Sequence, residues 1–222
     1  MIRGVIFDLD GTLLDTLKSL ADAFNRSLDK MGFPPHPIQD YRYFIGDGVF
    51  RCAERCLPPD ARTQDNINTL VDIEREDYGR NWQAGTTPYP GMQALLDALI
   101  EREIPVAALT NKDQPFANDC VNHFFPDTAF THVIGFSETT PHKPDPTGAR
   151  RVLSAWGLAP EAVALVGDTA VDMATALACN VHGVGVLWGF RDAAELEDAG
   201  AAHLIEHPLE LLPLTGDKHV RS

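Results

Sequence analysis

The first apolar run of the chain, Val5-Ile6-Phe7, ends in Asp8-Leu9-Asp10, followed at once by Gly11 and Thr12. Side chains two apart on a strand leave on the same side, so Asp8 and Asp10 bring two negative charges to one place. Carboxylates that close repel each other and cost stability unless a cation lies between them. The spacing asks for a metal, and Gly11 supplies the backbone freedom for a sharp turn where the strand stops. Three further groups fit the same chemistry. Thr110-Asn111-Lys112 follows the apolar run Ile104–Leu109. Gly167-Asp168-Thr169 follows Ala162–Val166, with Asp172 one helical turn beyond Asp168. Between them, His142-Lys143-Pro144-Asp145-Pro146 opens a helix. Each group alone has an ordinary reading: a turn, a helix N-cap, a first-turn acid, a solvated lysine. Together, at successive strand ends, the acids, the hydroxyl and the lysine read as one site rather than as separate turns and caps.

The elements that must position these groups follow from periodicity. Leu17, Leu20, Ala21, Phe24, Leu28 and Met31 recur at helical spacing, and Gly32 supplies a stop. Pro34, Pro35 and Pro37 make a stiff loop, and Ile45-Gly46-Asp47-Gly48 a turn. Helical stretches then run through Val49–Cys56 and from Ile67 to Tyr78, reaching as far as Trp82. Residues 15–84 therefore read as all helix, without a strand. From Gly91 onward helices and strands alternate: helices Met92–Arg102, Phe116–Phe124, Pro146–Trp156, Val171–Ala178 and Ala193–Asp198, and strands Ile104–Leu109, Thr131–Gly135, Ala162–Val166, Val181–Leu187 and Ala202–Ile205. This alternation predicts an α/β protein with a doubly wound, Rossmann-like parallel sheet. Residues 1–14 and 88–222 form that core, and residues 15–87 form a helical cap domain inserted after its first strand. Thr215–Ser222 reads as a frayed tail.

Composition narrows the function. The chain has 222 residues, 44% of them hydrophobic, enough for a substantial core. Eighteen basic residues against 32 acidic ones give a net charge of −14, which argues against nucleic acid or an anionic membrane as partner. The start Met1–Gly4 leads directly into a core strand and no apolar run is long enough to span a bilayer, so a cytoplasmic protein is expected. Cys52, Cys56, Cys120 and Cys179 match no zinc or redox spacing and read as small apolar residues.

As an ordered set, D-x-D-G-T at Asp8–Thr12, the hydroxyl of Thr110, Lys143, and G-D-x-x-x-D at Gly167–Asp172 resemble the haloacid dehalogenase superfamily. The likeness is to its phosphatase branch with a helical cap after the first strand. Gly46-Asp47-Gly48, Thr110-Asn111-Lys112, Lys143-Pro144-Asp145-Pro146 and Trp188-Gly189-Phe190-Arg191 are similar to the phosphoglycolate phosphatase-like group.

The resemblance implies that Asp8 attacks phosphorus to give an aspartyl-phosphate, and that Asp10 protonates the leaving group and then activates water. It implies one Mg²⁺ held by Asp8, the backbone carbonyl of Asp10, and Asp168, with Asp172 as a further ligand or support. Thr110 and Asn111 are expected to bind phosphoryl oxygens, and Lys143 to neutralise developing charge. Substrate choice is expected in the cap, with Gly46, Asp47 and Gly48 as a lip and Arg51 as a candidate for a substrate carboxylate. The expected partner is a small phosphorylated metabolite, 2-phosphoglycolate by analogy, and the expected assembly a monomer or homodimer.

The residues also weigh the relatives. Asp10 speaks against the dehalogenases, which lack that acid, and against the transporting ATPases, which carry Thr there. The only cap lysines, Lys18 and Lys30, sit on the first helix, which disfavours a Schiff-base phosphonoacetaldehyde hydrolase. β-Phosphoglucomutase-like mutases and pyrophosphatases share all four motifs and stay open. A receiver-type phosphoacceptor signalling domain predicts a shorter chain with no helical insertion and no acid at Asp10. A silent binding protein predicts lost motif residues, and none is missing.

Overall fold

A computed structural model describes residues 1–216. The chain divides into two compact units, Asp15–Thr87 and the remainder, Met1–Leu14 with the chain from Pro88 onward.

The chain begins with β1 (Gly4–Phe7), a fully buried strand of the larger unit, and leaves it through β2 (Leu14–Asp15). The helical unit follows: α1 (Leu17–Lys30), α2 (Tyr41–Phe44), α3 (Val49–Cys56) and α4 (Gln64–Asn81). Gly32 takes φ +78° and ends the first helix, as its position predicts. α1 and α4 present Leu20, Phe24, Leu28, Leu70, Val71 and Tyr78 to a shared apolar interior. The Arg26 guanidinium forks onto both oxygens of the buried Asp77 at 2.6–3.1 Å and ties the two helices together. Cys52 and Cys56 lie on one buried face of α3, and all four cysteines are free and buried. The expectation of no strand after residue 15 needs one correction. Asp15 belongs to β2, which pairs with β3 (Thr87–Pro88) in a two-stranded ladder. Two residues are too few to show a period of two.

The larger unit continues with α5 (Met92–Glu101), β4 (Val106–Asp113), α6 (Gln114–Phe124), β5 (Phe130–Phe136), α7 (Thr147–Trp156), β6 (Val163–Gly167), α8 (Ala170–Cys179), β7 (His182–Val186), α9 (Ala193–Asp198) and β8 (His203–Ile205). Six strands form one sheet in the order β5-β4-β1-β6-β7-β8, every neighbouring pair parallel. Such a sheet is buried on both faces, which is why its strands read as near-continuous apolar runs. Ile6, Ala107, Leu109, Ile134, Leu165 and Val181 pack with Ala149, Val152 and Ala176 of α7 and α8 into one core cluster. The order places β1 between β4 and β6, so the chain winds outward on both sides of it. Ligands of such sheets bind at the carboxyl ends of the strands flanking that reversal.

Most element ends shift by one to three residues, and two regions differ more from the sequence reading. β4 runs on through Thr110, Asn111 and Lys112 to Asp113, which pairs with Phe136 after a register irregularity. Polar composition suggests a turn there, but extended backbone can carry polar side chains wherever a neighbouring strand accepts the ladder. Thr215 is not frayed: it bridges to Ile2 and is 5% exposed, and Arg102 donates to its hydroxyl at 2.9 Å and to Leu212 O at 3.0 Å. The rest of that tail, 217–222, lies outside the described residues. Among the described residues no helix is long and apolar enough to cross a membrane.

Candidate active site

β1 delivers Asp8. The Asp8 N–H donates to Val166 O of β6 at 2.8 Å, which carries the ladder one residue past the strand and fixes the carboxylate at the sheet edge. The chain then folds back tightly, the N–H groups of Leu13 and Leu14 both donating to Leu9 O. Gly11 makes this turn possible at φ +86°, and a Cβ there would stand 2.2 Å from Asp168 Oδ2. The same turn points the Thr12 hydroxyl at Asp168 Oδ1, 3.2 Å away.

β6 delivers Asp168 and the start of α8. Thr169 is the N-cap of that helix, and Asp172 reaches back to it, its Oδ2 accepting from Thr169 N at 3.1 Å and Thr169 Oγ1 at 2.7 Å. The ordinary reading of Asp172 as a first-turn acid is therefore correct as far as Oδ2 goes. Its other oxygen faces the site. Asp8, Asp168 and Asp172 are all buried, and each offers one carboxylate oxygen within 4.8 Å of the other two.

Lys143 meets this cluster from the loop before α7. Its Nζ lies 2.8 Å from Asp8 Oδ1 and 2.6 Å from Asp172 Oδ1, with the side chain 4% exposed. Asn111, on β4, holds the loop in place: its Oδ1 accepts from Lys143 N at 2.6 Å and its Nδ2 donates to Lys143 O at 3.2 Å. The Lys143–Pro144 peptide is cis. Thr110 is buried beside Asn111, and its Oγ1 accepts from Lys112 N at 3.2 Å.

The electrostatics of this cluster are unbalanced. Burial pushes Asp8 up to about 7; Lys143 opposes the rise, and Asp172 and then Asp10 add to it. Burial, with Asp8 and Asp172 behind it, likewise raises Asp168 well above the carboxylate range. Burial alone would lower the Lys143 ammonium, but Asp172 and Asp8 hold it above the ordinary lysine range. Asp8 Oδ1 has Lys143 nearby but no well-aligned hydrogen bond. Three buried carboxylates against one ammonium leave an excess of negative charge that a divalent cation would relieve. An all-oxygen donor set suits a hard ion such as Mg²⁺.

The structure thus gathers Asp8, Thr110, Asn111, Lys143, Asp168 and Asp172 at one sheet edge. Asp10 lies beside them, half-buried, and both of its oxygens are gripped by Lys112 Nζ, at 2.9 and 3.0 Å. Gly46, Asp47, Gly48 and Arg51 belong to the helical unit, around the start of α3. There Asp47 pairs with Arg55 at 2.5 Å and the largely exposed Arg51 with Glu54 at 2.6 Å. His142 stacks on Phe136, with ring centroids 3.7 Å apart.

Sequence reasoning missed the supports of Asp168. Besides the Thr12 hydroxyl, the N–H of Phe190 donates to Asp168 Oδ2 at 2.8 Å. Trp188 Nε1 donates to Thr12 O at 3.1 Å, which ties the β7–α9 loop to the first turn. Only the run Trp188-Gly189-Phe190 hinted at this loop, and backbone donors leave no side-chain signature.

Comparison with known proteins agrees with this geometry. The profile of the haloacid dehalogenase-like hydrolases matches residues 5–186. The chain is 28% identical to a phosphoglycolate phosphatase of Pseudomonas putida, over 97% of this chain and 80% of that one. It is 27% identical to a phosphoglycolate phosphatase of Aquifex aeolicus, over 99% of each. A solved structure of a haloacid dehalogenase-like family hydrolase from Streptococcus pneumoniae superposes with a TM-score of 0.87 at 28% identity, over 96% of this chain and 98% of that one. A second solved structure, from Lactobacillus delbrueckii subsp. bulgaricus, superposes with a TM-score of 0.91 at 25% identity, over 97% of this chain and 99% of that one. With the profile match spanning its sheet from β1 to β7 and the acidic centre lying at that sheet's edge, this chain belongs to the haloacid dehalogenase-like hydrolases.

Proposed function

We propose that this protein is a Mg²⁺-dependent phosphatase of small phosphorylated metabolites, with 2-phosphoglycolate as its preferred substrate. One observation carries the reading: Asp8 sits in a buried acidic cluster with a lysine ammonium 2.8 Å from its carboxylate. That pairing supports reading Asp8 as a nucleophile and Lys143 as the cation a phosphoryl group needs.

Asp8, Asp168 and Asp172, with the Asp10 carbonyl, are the groups to hold Mg²⁺, which when bound neutralises charge on the cluster and on the phosphoryl oxygens. An Asp8 carboxylate oxygen forms a bond to phosphorus as the phosphorus–alkoxide bond breaks, and Asp10 gives the alkoxide its proton. Water then attacks the aspartyl-phosphate. Asp10 takes the water's proton, the phosphorus–Asp8 bond breaks, and inorganic phosphate leaves. Lys143 offsets charge on the transferring group throughout, and Thr110 and Asn111 address its oxygens, Asn111 also holding Lys143 in place. The helical unit Asp15–Thr87 is the cap domain in this reading, with Gly46, Asp47, Gly48 and Arg51 as its selectivity residues.

Phosphate release from a panel of phosphomonoesters, with Mg²⁺ and with chelator, using wild type and Asp8→Asn, tests the assignment. Mg²⁺-dependent release that Asp8→Asn abolishes supports it, and the best panel member names the substrate. Transfer of the phosphoryl group to a sugar phosphate, with no free phosphate, would replace it with a mutase.

A further inference from the structure

Lys112 is a buried cation that the chemistry above leaves without a task. Its side chain is 5% exposed, and its Nζ stands 2.9 and 3.0 Å from the two oxygens of Asp10. Stability alone is a poor reason to keep it. A buried ion pair costs desolvation of both ends, and an apolar pair of similar volume often serves the fold as well. Its position is informative. Lys112 lies one residue beyond Asn111, at the end of the strand that carries Thr110. In the reaction above Asp10 must reach the leaving oxygen, so an ammonium in contact with both Asp10 oxygens lies on the leaving-group side of phosphorus. Lys143, the other ammonium of the cluster, is already engaged with Asp8 and Asp172.

We propose that Lys112 is a specificity-determining residue: it receives a carboxylate carried by the leaving group, so the substrates are phosphorylated small hydroxy acids rather than neutral phosphomonoesters. The assignment rests on the phosphatase reading and deepens it. In an α-hydroxy acid a single carbon separates the carboxylate from the ester oxygen, so an acid of this kind brings its carboxylate to the group that already holds Asp10. Ammonium–carboxylate pairing in a water-poor pocket is strong enough to discriminate. The chain's net charge of −14 makes a dedicated cation necessary for a leaving group that is itself an anion.

The test compares 2-phosphoglycolate with ethyl phosphate, in which a methyl group replaces the carboxylate, in wild type, Lys112→Met and Lys112→Arg. The readout is the ratio of the two kcat/KM values. In Lys112→Met this ratio falls about a hundredfold, chiefly through KM for 2-phosphoglycolate. In Lys112→Arg, which keeps the charge, most of it returns. A ratio unchanged in Lys112→Met overturns the assignment, because a lysine that merely steadies Asp10 or the fold affects both esters alike. A wild type that prefers ethyl phosphate overturns it too, with the phosphatase reading intact. If the wild type releases phosphate from no ester, the phosphatase reading fails by itself and calorimetry decides Lys112. Weaker binding of 2-phosphoglycolate to Lys112→Met, with inorganic phosphate bound as before, supports the assignment; unchanged binding of both overturns it.

Discussion

A Cβ on Gly189 would stand 2.2 Å from the Cβ of Asp168 and 2.6 Å from Gly11 O. The β7–α9 loop is thus pressed flat against an acid of the cluster, and only a residue without a side chain lets Phe190 N reach the carboxylate. Gly189→Ala is expected to push this loop away and release Asp168 from that N–H. Loss of an outer support of this kind weakens metal affinity about 10- to 100-fold. Titration of Mg²⁺ by activity and by calorimetry measures it, and an unshifted midpoint would show that Asp168 is held without the loop.

Asp8→Asn should separate activity from stability. In the proposed mechanism the variant lacks its nucleophile, so turnover should fall by about 10³-fold or more. Above pH 7, where Asp8 is ionised, it also removes one of three crowded charges from a buried cluster, so at that pH without metal it melts above wild type. Scanning calorimetry in chelator checks the second half, and a variant that melts lower would contradict the unbalanced charge assigned to the site.

The wild-type protein without metal should lose stability as pH rises. Asp8 is pushed from 3.8 to about 7 by burial, so the folded protein holds this proton more tightly than the unfolded chain does. The stabilising contribution is complete below about pH 4 and disappears as pH passes 7. Between pH 5 and 7.5 the loss is on the order of 2 kcal/mol, about 4–8 °C in melting temperature. Mg²⁺ should flatten the profile, because a cation favours the ionised form that the rising pH produces. A metal-free melting temperature that climbs over this range would refute the argument.

Lys143→Met leaves Asp8 and Asp172 without their shared ammonium. Removing one partner of a buried ion pair costs about 3–5 kcal/mol, and turnover should vanish with it. Denaturant melts of the metal-free protein give the stability term. Lys143→Arg should recover only part of it, since a planar fork does not occupy the place of a compact ammonium. Full recovery by Arg would mean that charge alone matters at this position.

Asp10→Asn should reveal its role through the leaving group. Hydrolysis of alkyl phosphates falls by about 10²–10⁴-fold, and p-nitrophenyl phosphate, whose leaving group needs no proton, suffers much less. Equal losses on both would remove Asp10 from proton transfer.

The alternation of helix and strand from Gly91 onward was legible because periodicity and breakers are local. Leu17 to Leu28 repeat at helical spacing, Gly32 stops the helix, and each β-branched run matches a strand of the parallel sheet. Asp8, Thr110 and Asp168 were legible for the same reason: each stands at the end of an apolar run, and a parallel sheet gathers such ends at one edge. Tertiary structure decided what crosses the sequence. Thr12 finds Asp168 from 156 positions away, Lys112 finds Asp10 from 102, and Arg102 pins Thr215 from 113. It also carried β4 through Thr110–Lys112, where composition suggested a turn, because pairing with β5 resumes at Asp113. Local propensity sets which way each backbone runs. Which polar groups meet is settled only when the sheet order and packing bring distant segments within hydrogen-bonding distance.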